Sequence, residues 1–326
     1  MIEGTVLGDV RGFLKSRVIL TGAELDLFTR LDKGRAGADD LAKELKCDQR
    51  CLTRLLDSLV ALQLLSKQDG LYRTSEWGSL LSAGHPETEL PMVLHLGGLW
   101  ETWSGLTATV ETGTNPKRKP VSQRGGDSLE AFIGAMDVVG RSLSKEIADF
   151  YDLSPFKRLL DIGGATGTYT LAFLEKNPEM TAVLFDLPDV ITLAEARLER
   201  EGILGRVELV AGDFCYDELP RGCDLALLSA IIHQNSPQKN LDLYRKVHRA
   251  LVPGGKLLIR DHVMDPERTF PPQGTLFAIN MMVNTEGGDT YTFAEIRDTL
   301  EETGFVEVKL VRRGERMDCL VEARES

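Results

Sequence analysis

Residues 159–167 read Leu-Leu-Asp-Ile-Gly-Gly-Ala-Thr-Gly, and this stretch decides the fold. An apolar strand ends in an acid, Asp161, and a glycine-rich turn then opens a helix. A dinucleotide-binding turn needs the spacing Gly-x-Gly-x-x-Gly, so that a helix can pack closely beside a pyrophosphate. This turn has Gly163, Ala165 and Gly167 instead, which indicates a nucleotide pocket without a phosphate. Taken alone, the turn also fits an ordinary tight connection between a strand and a helix.

Two further apolar strands end in acids. Residues 182–188 read Ala-Val-Leu-Phe-Asp-Leu-Pro, and the carboxylate of Asp186 there is suited to accept hydrogen bonds from ribose hydroxyls. Residues 207–214 read Val-Glu-Leu-Val-Ala-Gly-Asp-Phe, where Asp213 is an acceptor suited to an adenine amino group and lies beside the ring of Phe214. Ligands of open parallel sheets bind at the carboxyl ends of the strands. Three acids in this register therefore favour a nucleoside site over ordinary loop residues.

The order and spacing of these segments resemble one family along nearly the whole chain. From about residue 12 onward, the sequence resembles the S-adenosylmethionine (SAM)-dependent O-methyltransferases of the caffeic acid, acetylserotonin and hydroxyneurosporene type. The matching segments are residues 159–167, 185–190 (Phe-Asp-Leu-Pro-Asp-Val), 212–214 (Gly-Asp-Phe), 253–256 (Pro-Gly-Gly-Lys) and 287–295 (Gly-Gly-Asp-Thr-Tyr-Thr-Phe-Ala-Glu). The resemblance implies methylation of a hydroxyl group on an aromatic or polyketide-like small molecule, with S-adenosylhomocysteine (SAH) as the second product. It does not specify the acceptor.

The cofactor residues are expected in the glycine-rich turn and at the strand ends. One of them, Ser229, stands where plant relatives have a lysine near the cofactor. The full set is Asp161, Gly163, Gly164, Gly167, Asp186, Leu187, Asp213, Phe214 and Ser229.

Composition limits the class of protein. The 326 residues are enough for two domains with separate cores, and 42% hydrophobic and 27% charged residues are typical of a soluble protein. A net charge of -12 argues against a nucleic-acid backbone as the main partner. The five cysteines include no Cys-x-x-Cys pair, and there is no run of 18 apolar residues. We therefore expect a cytoplasmic protein that has no metal site and does not span a membrane.

The first 100 residues are expected to form a winged-helix-like dimerisation domain. Residues 12–31 carry apolar side chains on more than one helical face, which one small domain would not bury. Helices are expected near residues 38–45 and 48–62, and residues 64–74 alternate around an Asp-Gly turn, as in a β-hairpin. In the family that the chain resembles, this module forms a homodimer and helps to wall the acceptor pocket.

A winged helix also suggests a second class of protein, a ligand-sensing transcription regulator. The second helix presents Arg50 and Arg54, but also Asp48 and Asp57. Residues 35–75 contain seven Lys or Arg and six Asp or Glu. This near-neutral balance favours an interaction module over a DNA-binding surface.

The rest of the chain divides into a connection and a catalytic domain. Residues 101–150 are expected to join the halves and to line the acceptor pocket. Over residues 151–326, strands and helices alternate as in a doubly wound Rossmann-like class I methyltransferase sheet. Two closing segments, residues 304–311 and 318–323, are expected to form an antiparallel hairpin at its edge. The predicted fold class is thus α/β, preceded by an α-helical domain.

His233 is the candidate general base. It follows the predicted strand 224–232 and so lies at the same sheet edge as the glycine-rich turn. A phenol with a pKa of about 10 is mostly protonated at neutral pH, so a histidine beside its oxygen helps to ionise it. The family's base occupies this position, and Asp261 after strand 256–260 matches one acid that orients its imidazole. The alternative for His233 is a packing residue at a strand end.

The sequence also departs from the family pattern. Gln234 and Asn235 follow the candidate base, where the family usually has Asp and an aromatic residue. Thr290 stands in the place of a second orienting acid, so we expect weaker stabilisation of the imidazolium ion. These departures motivate a second hypothesis, a family member that binds SAM but has lost or redirected methyl transfer. Ala165 replaces the middle glycine of the turn, which cofactor binding should survive.

The acceptor pocket is readable by composition alone. Phe132 and Met136 match the family's Phe-x-x-x-Met segment. Asn280 and Asn284 are candidates to hydrogen-bond a ring oxygen, and Met281 lies between them. Because a stripe of Met and aromatic residues also occurs in ordinary cores, the pattern indicates a largely apolar acceptor and nothing finer.

Overall fold

The computed structural model describes residues 4–118 and 126–326, and for residues 126–131 it describes the helical backbone without side chains. The described chain divides into two compact units. Of the described residues, the first contains 4–100 and 126–138, and the second contains 101–118 and 139–326. Within the described residues, no helix combines the length and the apolar character needed to cross a bilayer.

The first unit consists of helices and a small antiparallel sheet. Its helices are α1 (Val6–Glu24), α2 (Leu27–Asp32), α3 (Ala38–Leu45), α4 (Gln49–Ala61), α5 (Glu76–Ser79) and most of α6 (Leu90–Trp103). Its strands, in the order β1-β3-β2, are β1 (Ala36–Gly37), β2 (Leu65–Gln68) and β3 (Leu71–Thr74). The predicted hairpin is β2–β3, whose register pairs Gln68 with Leu71 around the Asp-Gly turn.

The long apolar helix predicted for residues 12–31 is two helices. Asp26 takes a left-handed conformation with φ of 53°, which separates α1 from α2. The later residues Leu20, Leu27 and Phe28 are buried in the core of the first unit. The side chains in the first turns of α1 are exposed instead, and Phe13 there is 53% exposed.

The second unit is a seven-stranded sheet with helices on both faces. Its helices are α7 (Leu106–Thr112), the end of α8 (Gly126–Phe150), α9 (Thr168–Lys176), α10 (Pro188–Arg200), α11 (Pro237–Ala250), α12 (Pro272–Asn284) and α13 (Phe293–Glu302). The sheet strands are β4 (Arg158–Ile162), β5 (Thr181–Asp186), β6 (Val207–Ala211), β7 (Cys223–Ser229), β8 (Leu251–Asp261), β11 (Val306–Arg312) and β12 (Cys319–Arg324). A separate parallel pair is formed by β9 (Val263–Met264) and β10 (Tyr291–Thr292).

The order of the strands confirms the predicted fold class. The sheet runs β11-β12-β8-β7-β4-β5-β6, with β8, β7, β4, β5 and β6 mutually parallel and β11–β12 antiparallel at one edge. Its central strands are buried on both faces, as their continuous apolar sequences require. The parallel strands end at one edge, which brings Asp161, Asp186 and Ser229 to the same side of the sheet.

Candidate active site

The glycine-rich turn after β4 needs its glycines for steric reasons. Gly163 has φ of 68° and donates its N–H to the carbonyl of Phe185 (2.8 Å). A Cβ on Gly163 would lie 2.5 Å from Cδ1 of Ile231. Gly167, with φ of 81°, precedes α9, and a Cβ there would lie 3.1 Å from Leu184. The turn is therefore a tight backbone cradle at the edge of the sheet.

Asp186 fastens this turn to the end of β5. One carboxylate oxygen accepts the N–H of Ala165 (2.8 Å), and the other accepts the N–H of Leu187 (2.7 Å). Ala165 has φ of 50°, a left-handed conformation that costs a residue with a Cβ about 1 kcal/mol. The bond from Asp186 thus helps to hold a strained residue in the middle of the turn.

Asp161 is buried beneath the turn. Its side chain is 1% exposed and accepts a hydrogen bond from the hydroxyl of Thr170 (2.7 Å). A Cβ on Gly164 would lie 2.8 Å from the carboxyl carbon of Asp161. Burial raises the pKa of Asp161 to about 6, and the charge of Asp186 acts in the same direction.

The third acid, Asp213, follows β6. Its carboxylate accepts the N–H of Cys215 (2.8 Å), and the next residue, Phe214, is half-buried beside the turn. Burial raises the pKa of Asp186, and the charge of Asp213 raises it further, although two backbone N–H groups oppose both effects. The edge therefore concentrates negative charge, and the sulfonium and ammonium groups of SAM would relieve that repulsion. The residues present fit this cofactor.

His233 lies in a short 3-10 turn, Ile232–Gln234, and is 9% exposed. β7 ends at Ser229, three residues earlier than the sequence predicts, because Ala230 takes a left-handed conformation with φ of 59°. The N–H of Ala230 donates to the carbonyl of Arg260 (2.8 Å), which fixes this bend. Backbone strain at this position directs the following turn and its histidine away from the strand.

The imidazole of His233 is clamped by Asp261. Nδ1 lies 2.9 Å and 3.0 Å from the two carboxylate oxygens, and one of these oxygens also accepts the N–H of His262 (2.8 Å). Burial alone would raise the pKa of Asp261, but His233, Arg260 and the His262 N–H lower it below its ordinary value. An ionised carboxylate accepts the Nδ1 proton, which leaves Nε2 as the basic nitrogen.

Two further contacts hold the His233 turn in place. Phe277 of α12 meets the imidazole edge to face, with ring centres 4.8 Å apart. The carbonyl of His233 accepts the N–H of Asp289 (2.9 Å), and a Cβ on Gly288 would lie 2.6 Å from that carbonyl oxygen. The Gly-Gly-Asp segment thus packs directly against the backbone of the candidate base.

The departures from the family pattern have structural counterparts. Among the described residues, the carboxylate on the imidazole of His233 is that of Asp261 alone. Thr290 is 2% exposed, and its hydroxyl donates weakly to the carbonyl of Gly274 (3.4 Å). Asn235 is 4% exposed and donates to Asn240 (3.1 Å), so it supports the turn.

The polar candidates for the acceptor pocket are mostly engaged within the protein. The side-chain oxygen of Asn280 accepts from Nε1 of Trp103 (2.9 Å) and from Nδ2 of Asn284 (2.9 Å). The Oδ1 atom of Asn284 is buried and has no hydrogen-bond partner among the described residues. Met281, between them, is 7% exposed. Asn284 is thus the better placed of the two asparagines to bind a ligand.

Phe132 and Met136 lie on α8, in the part that belongs to the first unit. Phe132 is 38% exposed and meets the ring of His95 edge-on, with centres 5.3 Å apart. Met136 is half-buried. The part that these two residues play toward the acceptor stays a prediction.

Two residues near the site were not singled out from the sequence. Arg260 in β8 is 5% exposed, and its Nε donates to the hydroxyl of Ser229 (2.9 Å). His262 is also 5% exposed, and burial lowers its pKa, so its ring is neutral beside Phe277. The sequence could have indicated Arg260, because it stands at the end of an otherwise apolar strand and a buried charge there needs a partner.

Two family models match the chain. Residues 123–306, more than half of the chain, match the O-methyltransferase domain. Residues 9–84 match the O-methyltransferase dimerisation domain.

Relatives and solved structures extend this similarity over the full length. A 3-hydroxy-5-methyl-1-naphthoate 3-O-methyltransferase from Streptomyces sahachiroi is 31% identical over 94% of this chain and 91% of its own length. An acetylserotonin O-methyltransferase from Gallus gallus is 29% identical over 95% of this chain and 94% of its own length. The crystal structure of human N-acetylserotonin methyltransferase in complex with SAM has the same fold, with a TM-score of 0.85, 24% identity and full coverage of both chains.

Proposed function

The chain belongs to the SAM-dependent O-methyltransferase family, as its sequence motifs predict, and we propose that His233 is its general base. The proposed acceptor is a hydroxyl group on an aromatic or polyketide-like small molecule. One observation carries the assignment, the clamp of both Asp261 oxygens on Nδ1 of His233 at the sheet edge that holds the glycine-rich turn. This clamp leaves Nε2 free to take a proton.

SAM supplies a methyl group that its sulfonium charge already activates. Nε2 of His233 takes the hydroxyl proton, the oxygen lone pair forms the new O–C bond, and the electrons of the broken S–C bond return to sulfur. The negative charge of Asp261 stabilises the imidazolium ion that results. Among the described residues, Asp261 is the one carboxylate on this imidazole, so the stabilisation comes from a single charge.

The proposed acceptor class rests on relatives and on the site together. The printed names of two relatives specify a hydroxynaphthoate and acetylserotonin, both aromatic. Phe277 offers an apolar ring at His233, Met281 lies four residues further along α12, and the free oxygen of Asn284 offers one hydrogen-bond acceptor. An aromatic hydroxyl compound with few charges fits these residues.

The proposed cofactor contacts follow the sheet edge. Asp186 is assigned to the ribose hydroxyls, Asp213 to the adenine amino group and Phe214 to the face of the adenine ring. Asp161 and Ser229 are assigned to the amino-acid end. Gly163, Gly164 and Gly167 are assigned to let the backbone approach the cofactor closely. Leu187 is assigned to cover the cofactor with an apolar side chain.

The function is tested by incubating the purified protein with methyl-labelled SAM and a panel of acceptors. We expect label on naphthols, hydroxyindoles and related phenols, together with release of SAH. The panel includes matched thiols and amines. Transfer to a thiol or amine alone, or SAH binding without any transfer, would support the second hypothesis of redirected or lost chemistry and contradict the first.

We further propose that the enzyme is a cytoplasmic homodimer without a nucleic-acid partner. Its five cysteines are unpaired, which suits a reducing compartment. In the β2–β3 hairpin, Lys67 is neutralised by Asp57 of α4 (2.7 Å), and Asp57 also faces Arg54. A regulator would instead present these cations to DNA and bind it in a salt-dependent way.

The dimer is supported by the dimerisation-domain match and by the apolar face at the start of α1. Val10 is 63% exposed there, beside Phe13 and Leu14 at 53% and 55%. A face of this kind on a single chain indicates a partner surface. Replacing Phe13 and Leu14 together with Asp should therefore give aggregation or a monomer with a lowered melting temperature.

The measurement is light scattering after size exclusion, at micromolar concentration. Val110→Asp is the control, because this apolar side chain is 69% exposed but lies on α7. An undisturbed dimer in the double variant would show that α1 is not in the interface. A wild-type protein that is a stable monomer would contradict the homodimer itself.

A further inference from the structure

Arg260 occupies an unusual position for a charged residue. It pairs in register with Ser229 of β7, and it follows Leu258 on the sheet face that packs against Tyr169 of α9. Side chains alternate along a strand, so Ser229 follows Leu227 on this same face. The Arg260 guanidinium therefore lies at the carboxyl edge, on the face beneath the turn of SAM-binding residues.

The charge of Arg260 has no full counter-ion within the protein. Its Nε donates to Ser229 (2.9 Å), its Nη1 donates to the carbonyl of Met317 (2.8 Å), and the guanidinium lies over the ring of Tyr169 at 5.1 Å. Among the described residues, no carboxylate pairs with it, because the neighbouring Asp261 is turned to His233. Buried charges in proteins are normally paired, so Arg260 lacks the anion that such a charge requires.

A second buried donor lies beside it. Tyr169 is 7% exposed, and its buried hydroxyl makes no hydrogen bond of ordinary geometry among the described residues, although the hydroxyl of Ser229 is close enough to lower its pKa. Burial raises the pKa of this hydroxyl, while the charge of Arg260 acts in the opposite direction, so Tyr169 stays protonated at neutral pH. A neutral hydroxyl and a cation thus converge where one acceptor could satisfy both.

We propose that Arg260 and Tyr169 bind the carboxylate at the amino-acid end of the cofactor. The proposal rests on the proposed function, because it requires SAM in the cradle at the ends of β4 and β7. Ser229 holds Arg260 by a hydrogen bond, so the positive charge comes from the neighbouring strand.

The distribution of charge supports this assignment. Asp161, Asp186 and Asp213 make the other side of the edge acidic, which suits the sulfonium and ammonium groups but repels a carboxylate. Among the described residues, Arg260 is the buried cation on this face, so it can separate the two charge types of one ligand. The ammonium and carboxylate groups of the amino-acid end thus meet protein charges of opposite sign, and this orients the end in the site.

The test compares two ligands by calorimetry. One is SAH, and the other is its decarboxylated analogue, 5′-deoxy-5′-(3-aminopropylthio)adenosine, which lacks the carboxylate but keeps the amine. We expect Arg260→Met to weaken SAH about 10- to 100-fold, the usual range for losing a charge-assisted hydrogen bond, and to leave the analogue unchanged. Tyr169→Phe should show the same selectivity with a smaller loss.

Two other variants make the comparison specific. Asp186→Ala removes the proposed ribose contact, which both ligands share, so both should weaken equally. Arg312→Met is the matched arginine control, because Arg312 also lies over a ring, that of Phe150, but pairs with Glu146 and Asp318. It should weaken neither ligand.

Each outcome decides between the assignments. Equal weakening of SAH and its analogue by Arg260→Met, or no weakening of SAH, would overturn the carboxylate site while the proposed function stands. Failure of the wild-type protein to bind either ligand would overturn the proposed function as well. Thermal unfolding of the ligand-free proteins checks the fold, and we expect Arg260→Met to be at least as stable as wild type, because it removes an unpaired buried charge. Arg260→Lys keeps the charge without the planar fork and should give a partial, equally selective loss.

Discussion

In the His233→Ala variant, turnover of a phenolic acceptor is expected to fall about 10²- to 10⁴-fold, while the affinity for SAH stays the same. The reason is geometric, because Nε2 of His233 is the basic nitrogen that the Asp261 clamp leaves free. Among the described residues, Asp261 is the one acid that orients the ring, so the loss should lie near the lower end of this range. Steady-state rates with saturating SAM measure it.

The dependence on pH separates base catalysis from simple positioning. Raising the pH toward about 10, the ordinary pKa of a phenol, lets solvent supply the phenolate that His233 otherwise produces. The variant should then recover part of its activity, because the acceptor is still held beside the methyl group. The wild-type rate should change less over the same range.

His262→Leu is the matched control for this experiment. His262 packs on the same ring, Phe277, but its own ring makes no hydrogen bond to Asp261. Its loss should therefore not produce the pH-dependent recovery. If His233→Ala and wild type keep the same ratio of rates at every pH, His233 is a packing residue at the end of β7 and the proposed base is wrong.

The main features of the site could be read from the sequence because they depend on local pattern. Apolar runs that end in Asp161, Asp186 and Asp213 predict parallel strands, and parallel strands place their carboxyl ends together. Glycine at positions 163 and 167 predicts a turn with positive φ, which the structure has. Each of these inferences depends on the local sequence pattern and on no contact between distant segments.

Other features depended on contacts between distant segments. The sequence extends β7 to Ile232, but the left-handed conformation of Ala230, whose N–H donates to the carbonyl of Arg260, ends the strand at Ser229. The lone charge of Arg260 in an apolar strand was visible, yet its partner Ser229 is set by the register of β7 and β8. Similarly, the apolar spacing of residues 12–31 is compatible with one continuous helix. The structure divides it at the left-handed Asp26, and the two helices that result, α1 and α2, pack against each other.

The second large effect is expected from Asp261→Asn, a change that keeps size and shape. In the wild-type protein, Oδ1 of Asp261 accepts from both the His262 N–H (2.8 Å) and Nδ1 of His233 (3.0 Å). Asparagine has one oxygen, and the buried N–H of His262 needs it as an acceptor. The amide nitrogen then faces Nδ1 and donates to it, which moves the imidazole proton to Nε2. A histidine protonated at Nε2 cannot take a proton from the acceptor.

Turnover by Asp261→Asn should therefore fall about 10²-fold or more, as far as it falls in His233→Ala, with SAH affinity unchanged. The double variant should be no slower than either single variant, because both changes remove the same base. The pKa of Asp261 is lowered in the folded protein, so the stability that its ionisation contributes is present above its unfolded pKa of about 4 and is lost as the pH falls through the folded value. Losses that multiply in the double variant would instead mean that Asp261 acts apart from His233, and the two residues would not form one catalytic pair.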